Sequence, residues 1–179
     1  MVTYSFLLKN ATIVAFFNIV FYLIKGCDIL KDDELISELY KIIQPIVDEQ
    51  GYELYHIEFI EEEKEFYLRV FIYRDEGINI DDCVKVSRPI SKALDTSDPI
   101  DIPYCLEVSS PGINRILYTQ EHLGKVVDKD ITINLNTIFE GKTKHNGILT
   151  SYDADYIKIK IKGQNMSVPR KFILDIYLS

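Results

Sequence analysis

Between residues 32 and 51 the apolar positions Leu35, Ile36, Leu39, Ile42, Ile43, Ile46 and Val47 recur at spacings of three and four, which draws one buried stripe along a helix. Asp32 and Asp33 suit its start. Pro45 interrupts the pattern and is expected to bend the last turn, after which Gly51 can take the positive φ that ends a helix. Tyr52 to Ile60 and Glu65 to Tyr73 are rich in aromatic and β-branched residues and predict two strands, with Glu61-Glu62-Glu63-Lys64 as a solvated hairpin turn. On the second strand Phe66, Leu68, Val70 and Ile72 share one face and Tyr67, Arg69, Phe71 and Tyr73 the other, so it is expected to be covered on both sides. Past the turn at Asp75-Glu76-Gly77, Asp81 is expected to cap a second helix running to about Asp95, with Val84, Val86, Ile90 and Leu94 for burial and Pro89 inside it. A strand from Tyr104 to Ser109 follows. The order helix, strand, strand, helix, strand describes a two-layer α+β domain.

After Pro111-Gly112 the pattern changes. Thr119 caps a short predicted helix to Leu123, and short alternating strands follow at Ile131 to Leu135, Gly147 to Tyr152, Tyr156 to Ile161, Ser167 to Pro169 and Ile173 to Leu178. Five short strands without long helices predict a small β-barrel. The boundary falls near Ser110 to Arg115, and the chain carries no internal repeat. The expected divisions are residues 1–30, an N-terminal extension; 31–112, the α+β domain; and 113–179, the barrel.

The extension is the one stretch at odds with a plain cytosolic protein. Ala11 to Ile24 is apolar apart from Thr12 and Asn18. As a helix it would rise about 21 Å, short of the roughly 30 Å hydrocarbon core of a bilayer. Ile24-Lys25-Gly26-Cys27 loosely matches a lipoprotein cleavage site, but Lys25 stands where a small or apolar residue belongs. The simpler readings are an extra helix packed on the body, or an upstream start assigned to a chain that begins near Leu30. The second is favoured, because the composition changes abruptly there.

Composition narrows the class of partner. Among 179 residues, 28 acidic side chains outweigh 20 basic ones for a net charge of −8, so the whole molecule is not drawn to phosphate backbones by its own field. That charge is uneven. Residues 31–114 hold 8 basic and 20 acidic side chains, a net of −12, whereas residues 115–179 hold 10 and 7, a net of +3. Cys27, Cys83 and Cys105 form no CxxC pair, which gives neither a disulfide framework nor a zinc cluster and fits a reducing compartment.

Catalytic signatures are missing from the sequence: no GxSxG elbow, phosphate-binding glycine loop, GxGxxG or HExxH occurs. His56, His122 and His145 are scattered over different elements, so no metal site and no cofactor are expected. Ser109 and Ser110 lack an identifiable base, and a Ser-Ser-Pro-Gly run at a strand end fits a turn better than a hydrolase nucleophile. Asp81-Asp82 and Glu61 to Glu63 are paired carboxylates that a helix cap and a solvated turn already explain. Arg115, just after the turn, is a planar fork able to clamp a carboxylate or phosphate, or to tie two domains together. Lys158, Lys160 and Lys162 alternate with Ile157, Ile159 and Ile161, giving a half-buried strand with a basic outer face. With Lys142, Lys144, Arg170 and Lys171 that face can touch RNA, although solvated lysines on barrel strands are common.

Taken in order, Gly51-Tyr52-Glu53-Leu54, Leu68-Arg69-Val70, Gly77-Ile78, Asp81-Asp82-Cys83, Val86-Ser87-Arg88, Leu94-Asp95 and above all Leu106-Glu107-Val108-Ser109-Ser110-Pro111-Gly112 resemble the bacterial ribosome maturation factors of the RimP family. The resemblance covers about Asp32 to Ser179. It implies an N-terminal α+β domain joined to a C-terminal SH3-like barrel, and a non-enzymatic cytoplasmic factor. The implied partners are the immature small (30S) ribosomal subunit, the basic small-subunit ribosomal protein near the decoding centre, and rRNA, with no small-molecule substrate. Ser109, Ser110, Pro111, Gly112, Arg115, Lys158, Lys160 and Lys162 are the candidate partner-binding or interdomain residues. Where the family usually has an Asp after the glycine and later Arg-Pro-Leu, this chain has Asn114 and Arg115-Ile116-Leu117. On charge, the acidic domain is expected to attract basic ribosomal protein tails while the mildly basic barrel faces rRNA. The competing readings are a membrane-associated adaptor anchored by residues 5–25, and a Ser-dependent hydrolase.

Overall fold

In the computed structural model the described residues are 3–7, 13–14 and 33–179. The remainder of the predicted apolar extension, including most of Ala11 to Ile24, lies outside them. The chain divides into two compact units, Met1–Pro111 and Gly112–Ser179. Both helices and sheets are present, and the class is α+β.

In the first unit α1 spans Asp33–Glu49, with Pro45 inside it. Its stripe is as the spacing demands, with Leu39, Ile43 and Val47 fully buried. The helix ends in a Schellman turn, in which the Tyr52 N–H donates to Val47 O at 3.2 Å and the Gly51 N–H to Asp48 O at 3.0 Å. Strands β3 (Glu53–Glu62) and β4 (Glu65–Tyr73) form a hairpin longer than expected. Its turn is only Glu63-Lys64, both left-handed at φ 51° and 70°, so Glu61 and Glu62 belong to the strand instead. A bulge between Leu54 and His56 resets the alternation, and Leu54, Ile57 and Phe59 all join the core.

Helix α2 (Ile80–Ser97) is capped by Asn79, not Asp81. Asn79 Oδ1 accepts from the Asp82 N–H at 3.0 Å while Asp82 Oδ2 accepts from the Asn79 N–H at 2.9 Å, a reciprocal capping box. Cys83, Val86, Ile90 and Leu94 line its buried side. The helix carries the chain over to β5 (Cys105–Ser109), which lies parallel to β4. Strand β1 (Thr3–Leu7) pairs antiparallel with the other edge of β5, and β2 (Ile13–Val14) pairs with β1. The sheet order is therefore β2-β1-β5-β4-β3. Leu68, Val70 and Ile72 are fully buried on the helix side of β4, and Arg69 and Phe71 on the other face are each only 9% exposed.

The second unit opens with an isolated bridge between Ile116 and Tyr177 and a short helix α3 (Gln120–Gly124), capped by the Thr119 side chain. Strands β6 (Asp130–Phe139), β7 (Lys142–Tyr152), β8 (Tyr156–Ile161), β9 (Gln164–Pro169) and β10 (Ile173–Leu178) follow, with a single 3-10 turn at Arg170–Phe172 before the last. The sheet is antiparallel, in the order β10-β6-β7-β8-β9, and is not closed into a ring of paired strands. Ile131, Ile133, Leu149, Ile157, Ile159 and Val168 form its fully buried core. Strands β6 and β7 extend beyond the predicted Leu135 and Gly147 limits, because their polar ends are held by backbone pairing rather than by a buried face.

Candidate functional site

The residues singled out from sequence fall into two groups, one at the end of β5 and in the turn after it, and one on the second sheet. Ser109 ends β5 and is 2% exposed, in register with Phe71 of β4 and Thr3 of β1. A hydroxyl this withdrawn from water is poorly placed to act as a surface nucleophile. Ser110 and Pro111 are half-buried, and Gly112 takes φ +78°, a left-handed conformation that explains why the motif ends in glycine. Ile113 is 85% exposed. The Arg115 backbone carbonyl accepts from the Leu178 N–H at 2.9 Å, so Arg115 opens the second unit by pairing with its last strand.

Lys158 and Lys160 stand on the exposed side of β8, between the buried Ile157, Ile159 and the half-buried Ile161. Lys162 does not continue that face. Strand β8 ends at Ile161, and Lys162 sits in the two-residue turn with Gly163, at φ 48° and 87°. The expectation of three lysines on one strand face is thus corrected to two, because a left-handed turn residue leaves the period of the strand. Lys158 Nζ lies 3.5 Å from Asp153 Oδ2, an exposed ion pair that offsets part of its charge. On the same outer face, Lys160 is in register with Ile148 of β7 and Asn165 of β9, and Lys158 with Ser167. Tyr156, two residues before Lys158, is 43% exposed and Ile148 is 38% exposed. This surface can present cations beside an aromatic ring, a combination suited to a polyanion with stackable bases.

The three histidines have structural engagements in separate elements. His56 Nδ1 is 3.2 Å from the Tyr40 hydroxyl, His122 Nδ1 accepts from the Tyr118 N–H at 3.2 Å, and His145 Nε2 is 2.9 Å from Phe139 O. Among the described residues no group of His, Cys, Asp and Glu is arranged to hold a metal ion, and no helix is long and apolar enough to cross a membrane.

Two polar clusters went unrecognised in the sequence. In the first, Arg69 of β4 donates through both terminal nitrogens to Glu62, at 3.0 and 2.7 Å, and through Nε to Glu107 of β5 at 2.7 Å. Its guanidinium also lies 5.4 Å from the Tyr67 ring centroid. Burial first, and then the charge of Glu107, push the Glu62 carboxyl above the usual carboxylate range, despite the bidentate pair. The signal in the sequence was a lone arginine on a strand otherwise fit for burial, but its partners depend on a parallel pairing that local pattern cannot reveal.

In the second, the Tyr52 hydroxyl donates to Asp82 Oδ1 at 2.6 Å, and Arg74 Nη2 reaches Asp82 Oδ2 at 3.2 Å while its guanidinium lies 5.0 Å from the Tyr52 ring centroid. The Asn79 N–H foremost, then the Tyr52 hydroxyl, hold the Asp82 carboxyl below its ordinary range. Gly51-Tyr52 and Asp81-Asp82, motifs that stand apart in sequence, therefore meet at one node that fixes the start of α2 against the end of α1.

Residues 42–114 match the family model of the RimP N-terminal domain. The matched range contains both polar clusters and ends just past the Ser109-Ser110-Pro111-Gly112 turn.

Proposed function

We propose that the chain, whose residues 42–114 match the RimP N-terminal domain, is a ribosome maturation factor of the RimP family, a non-enzymatic, cytoplasmic factor that binds the immature small (30S) ribosomal subunit. The family domain is the observation that carries this reading. The charge division supports a split of labour. The acidic first domain, residues 31–112, attracts basic segments of ribosomal protein, and the mildly basic second domain, residues 113–179, turns Lys158 and Lys160 toward rRNA. A four-stranded meander, one 3-10 turn and a last strand returning to pair with the first support an SH3-like barrel for the second domain. The Ser109 to Gly112 turn and Arg115, where the chain passes from the first domain into the second, are candidate contact residues. Lys162, at a turn tip, is a peripheral contact.

Co-sedimentation with precursor and mature small subunits tests the reading, with binding to the precursor expected to weaken steeply as salt rises. Failure to bind either particle at low salt would sink it. The double change Lys158→Glu and Lys160→Glu is expected to lower affinity by about tenfold or more and flatten the salt dependence, since phosphate-contacting lysines each contribute to the slope. Lys160→Glu alone is the cleaner reporter, because Lys158 is already tied to Asp153. Unchanged affinity in both variants would remove the contact between β8 and rRNA while leaving the ribosomal role standing.

A further inference from the structure

The hairpin of β6 and β7 falls out of step just short of its turn. Asn134 pairs with Lys144 and Phe139 with Lys142, so residues 135–138 stand opposite Thr143 alone. An insertion of that kind bends a strand and re-aims its side chains. Two bonds fix the bend. Asn136 Nδ2 donates to Lys171 O at 3.2 Å, and His145 Nε2 lies 2.9 Å from Phe139 O. Phe139 is thereby turned inward against the core of the second unit, its ring centroid 6.0 Å from that of Phe172 and 6.2 Å from that of His145. Its neighbour Ile138 is turned outward and is 71% exposed. Ile138 lines an open cleft with Gly141, Lys142, Thr143 and Lys144. Both lysines are exposed, and among the described residues neither side chain makes an ion pair or a hydrogen bond. The acids nearest in chain and register are Glu140, exposed in the turn, and Asp175, whose carboxylate accepts from Asn134 Nδ2 at 2.7 Å.

We propose that this shoulder of the hairpin is a further contact with rRNA, additional to Lys158 and Lys160, and that its ligand is an unpaired strand. The inference rests on the ribosomal reading above. Lys142 and Lys144 alternate along β7, about 6.6 Å apart, a spacing that suits successive phosphates of an extended nucleic-acid backbone. Ile138, beside them in the cleft, packs on the sugar and base faces that such a strand uncovers. An apolar side chain seats against a base only where the stack is open. In RNA the bases are open in loops, bulges and ends, whereas the deep, narrow groove of a helix shuts side chains out. The cations supply attraction that any phosphate shares, and the isoleucine supplies the preference for unpaired RNA. A single exposed isoleucine is ordinary. One that a bonded bulge holds beside two unengaged lysines matches a partner that is anionic along its backbone and apolar on its bases.

The test uses the full chain and the precursor small subunit. In the Ile138→p-benzoylphenylalanine variant, irradiation of the complex is expected to join residue 138 to rRNA at nucleotides that chemical probing marks as unpaired. Crosslinks confined to base-paired rRNA or to ribosomal protein, or none from a variant that still co-sediments, overturn the proposal. Affinity gives a second reading. Ile138→Ala is expected to weaken co-sedimentation about threefold or more at every salt concentration while leaving the salt slope unchanged, because no charge is lost. Lys142→Gln/Lys144→Gln is expected to weaken it about tenfold or more at low salt and to flatten the slope. These side chains are exposed, so thermal melting of both variants is expected to match the parent. Full affinity in either variant overturns this contact and leaves the ribosomal reading standing. Failure of the unaltered chain to bind the precursor overturns both.

Discussion

Replacing Arg69 by methionine removes a cation that two withdrawn carboxylates share, while keeping most of the side chain's apolar length. Arg69 is 11% exposed at its side chain, Glu107 15% and Glu62 32%. Breaking a buried ion network by deleting one partner costs about 3–5 kcal/mol, because the remaining charge is left uncompensated. Glu62 is a third exposed and water screens that arm, so the lower figure, about 3 kcal/mol at pH 7, applies. For a domain of this size that corresponds to a fall of roughly 12–24 °C in Tm. The cost should shrink with acid. Glu62 already has a folded pKa above its ordinary value, and losing the guanidinium pushes it further the same way. A raised carboxyl destabilises the fold while ionised, and the folded state regains stability as pH falls through the raised value. Urea unfolding of parent and Arg69→Met, followed by circular dichroism at pH 7 and pH 5, reads both quantities. Adding Glu62→Gln and Glu107→Gln to Arg69→Met is expected to restore at least half the loss, since both carboxylate charges that paired with Arg69 are then gone as well. A cost under about 1 kcal/mol at pH 7, or one that is unchanged at pH 5, would refute the reasoning.

Three further outcomes follow from the same geometry. Tyr52→Phe deletes a buried bond to a carboxylate and should cost about 2 kcal/mol at pH 7; because the Asp82 carboxyl is depressed in the fold, the cost should be present above the unfolded value of about 4 and fade as pH falls through the folded one, as denaturation at pH 7 and pH 3 would show. Gly147→Ala would set a methyl 2.8 Å from the Lys160 carbonyl oxygen, a backbone atom that cannot swing aside, so calorimetry should find the second unit's transition destabilised by about 1–3 kcal/mol. The Cys83 thiol is fully buried and pushed up to about 11 by that burial, so site-resolved alkylation at pH 8 should leave it unlabelled until the first unit unfolds.

The elements themselves were legible because their signals are periodic and local. The α1 stripe and the alternation of β4 and β8 each name their buried positions, and the structure buries Leu39, Ile43, Val70, Ile157 and Ile159 as those periods require. Errors gathered where the deciding geometry is a single residue's backbone. Asn79 rather than Asp81 caps α2, since the reciprocal bond with Asp82 requires a spacing of three. Glu63-Lys64 makes a tighter turn than its charge suggested, and Lys162 leaves the β8 face by turning left-handed. None of these changes the pattern of apolar residues, so none could be read from it.

The order and type of the elements, the acidic and basic halves and the family motifs all belong to the sequence alone, because each depends on neighbours a few residues apart or on plain counting. Tertiary structure decided which motifs are coupled. Helix α2 carries the chain across to lay β5 parallel to β4, and only that crossover brings Glu107 within 2.7 Å of Arg69, 38 residues away. The same folding joins Tyr52 to Asp82 and sets Ser5 opposite Glu107. Burial then gives those meetings their energy, since charges that water would screen on an open chain interact more strongly where the side chains are withdrawn from it.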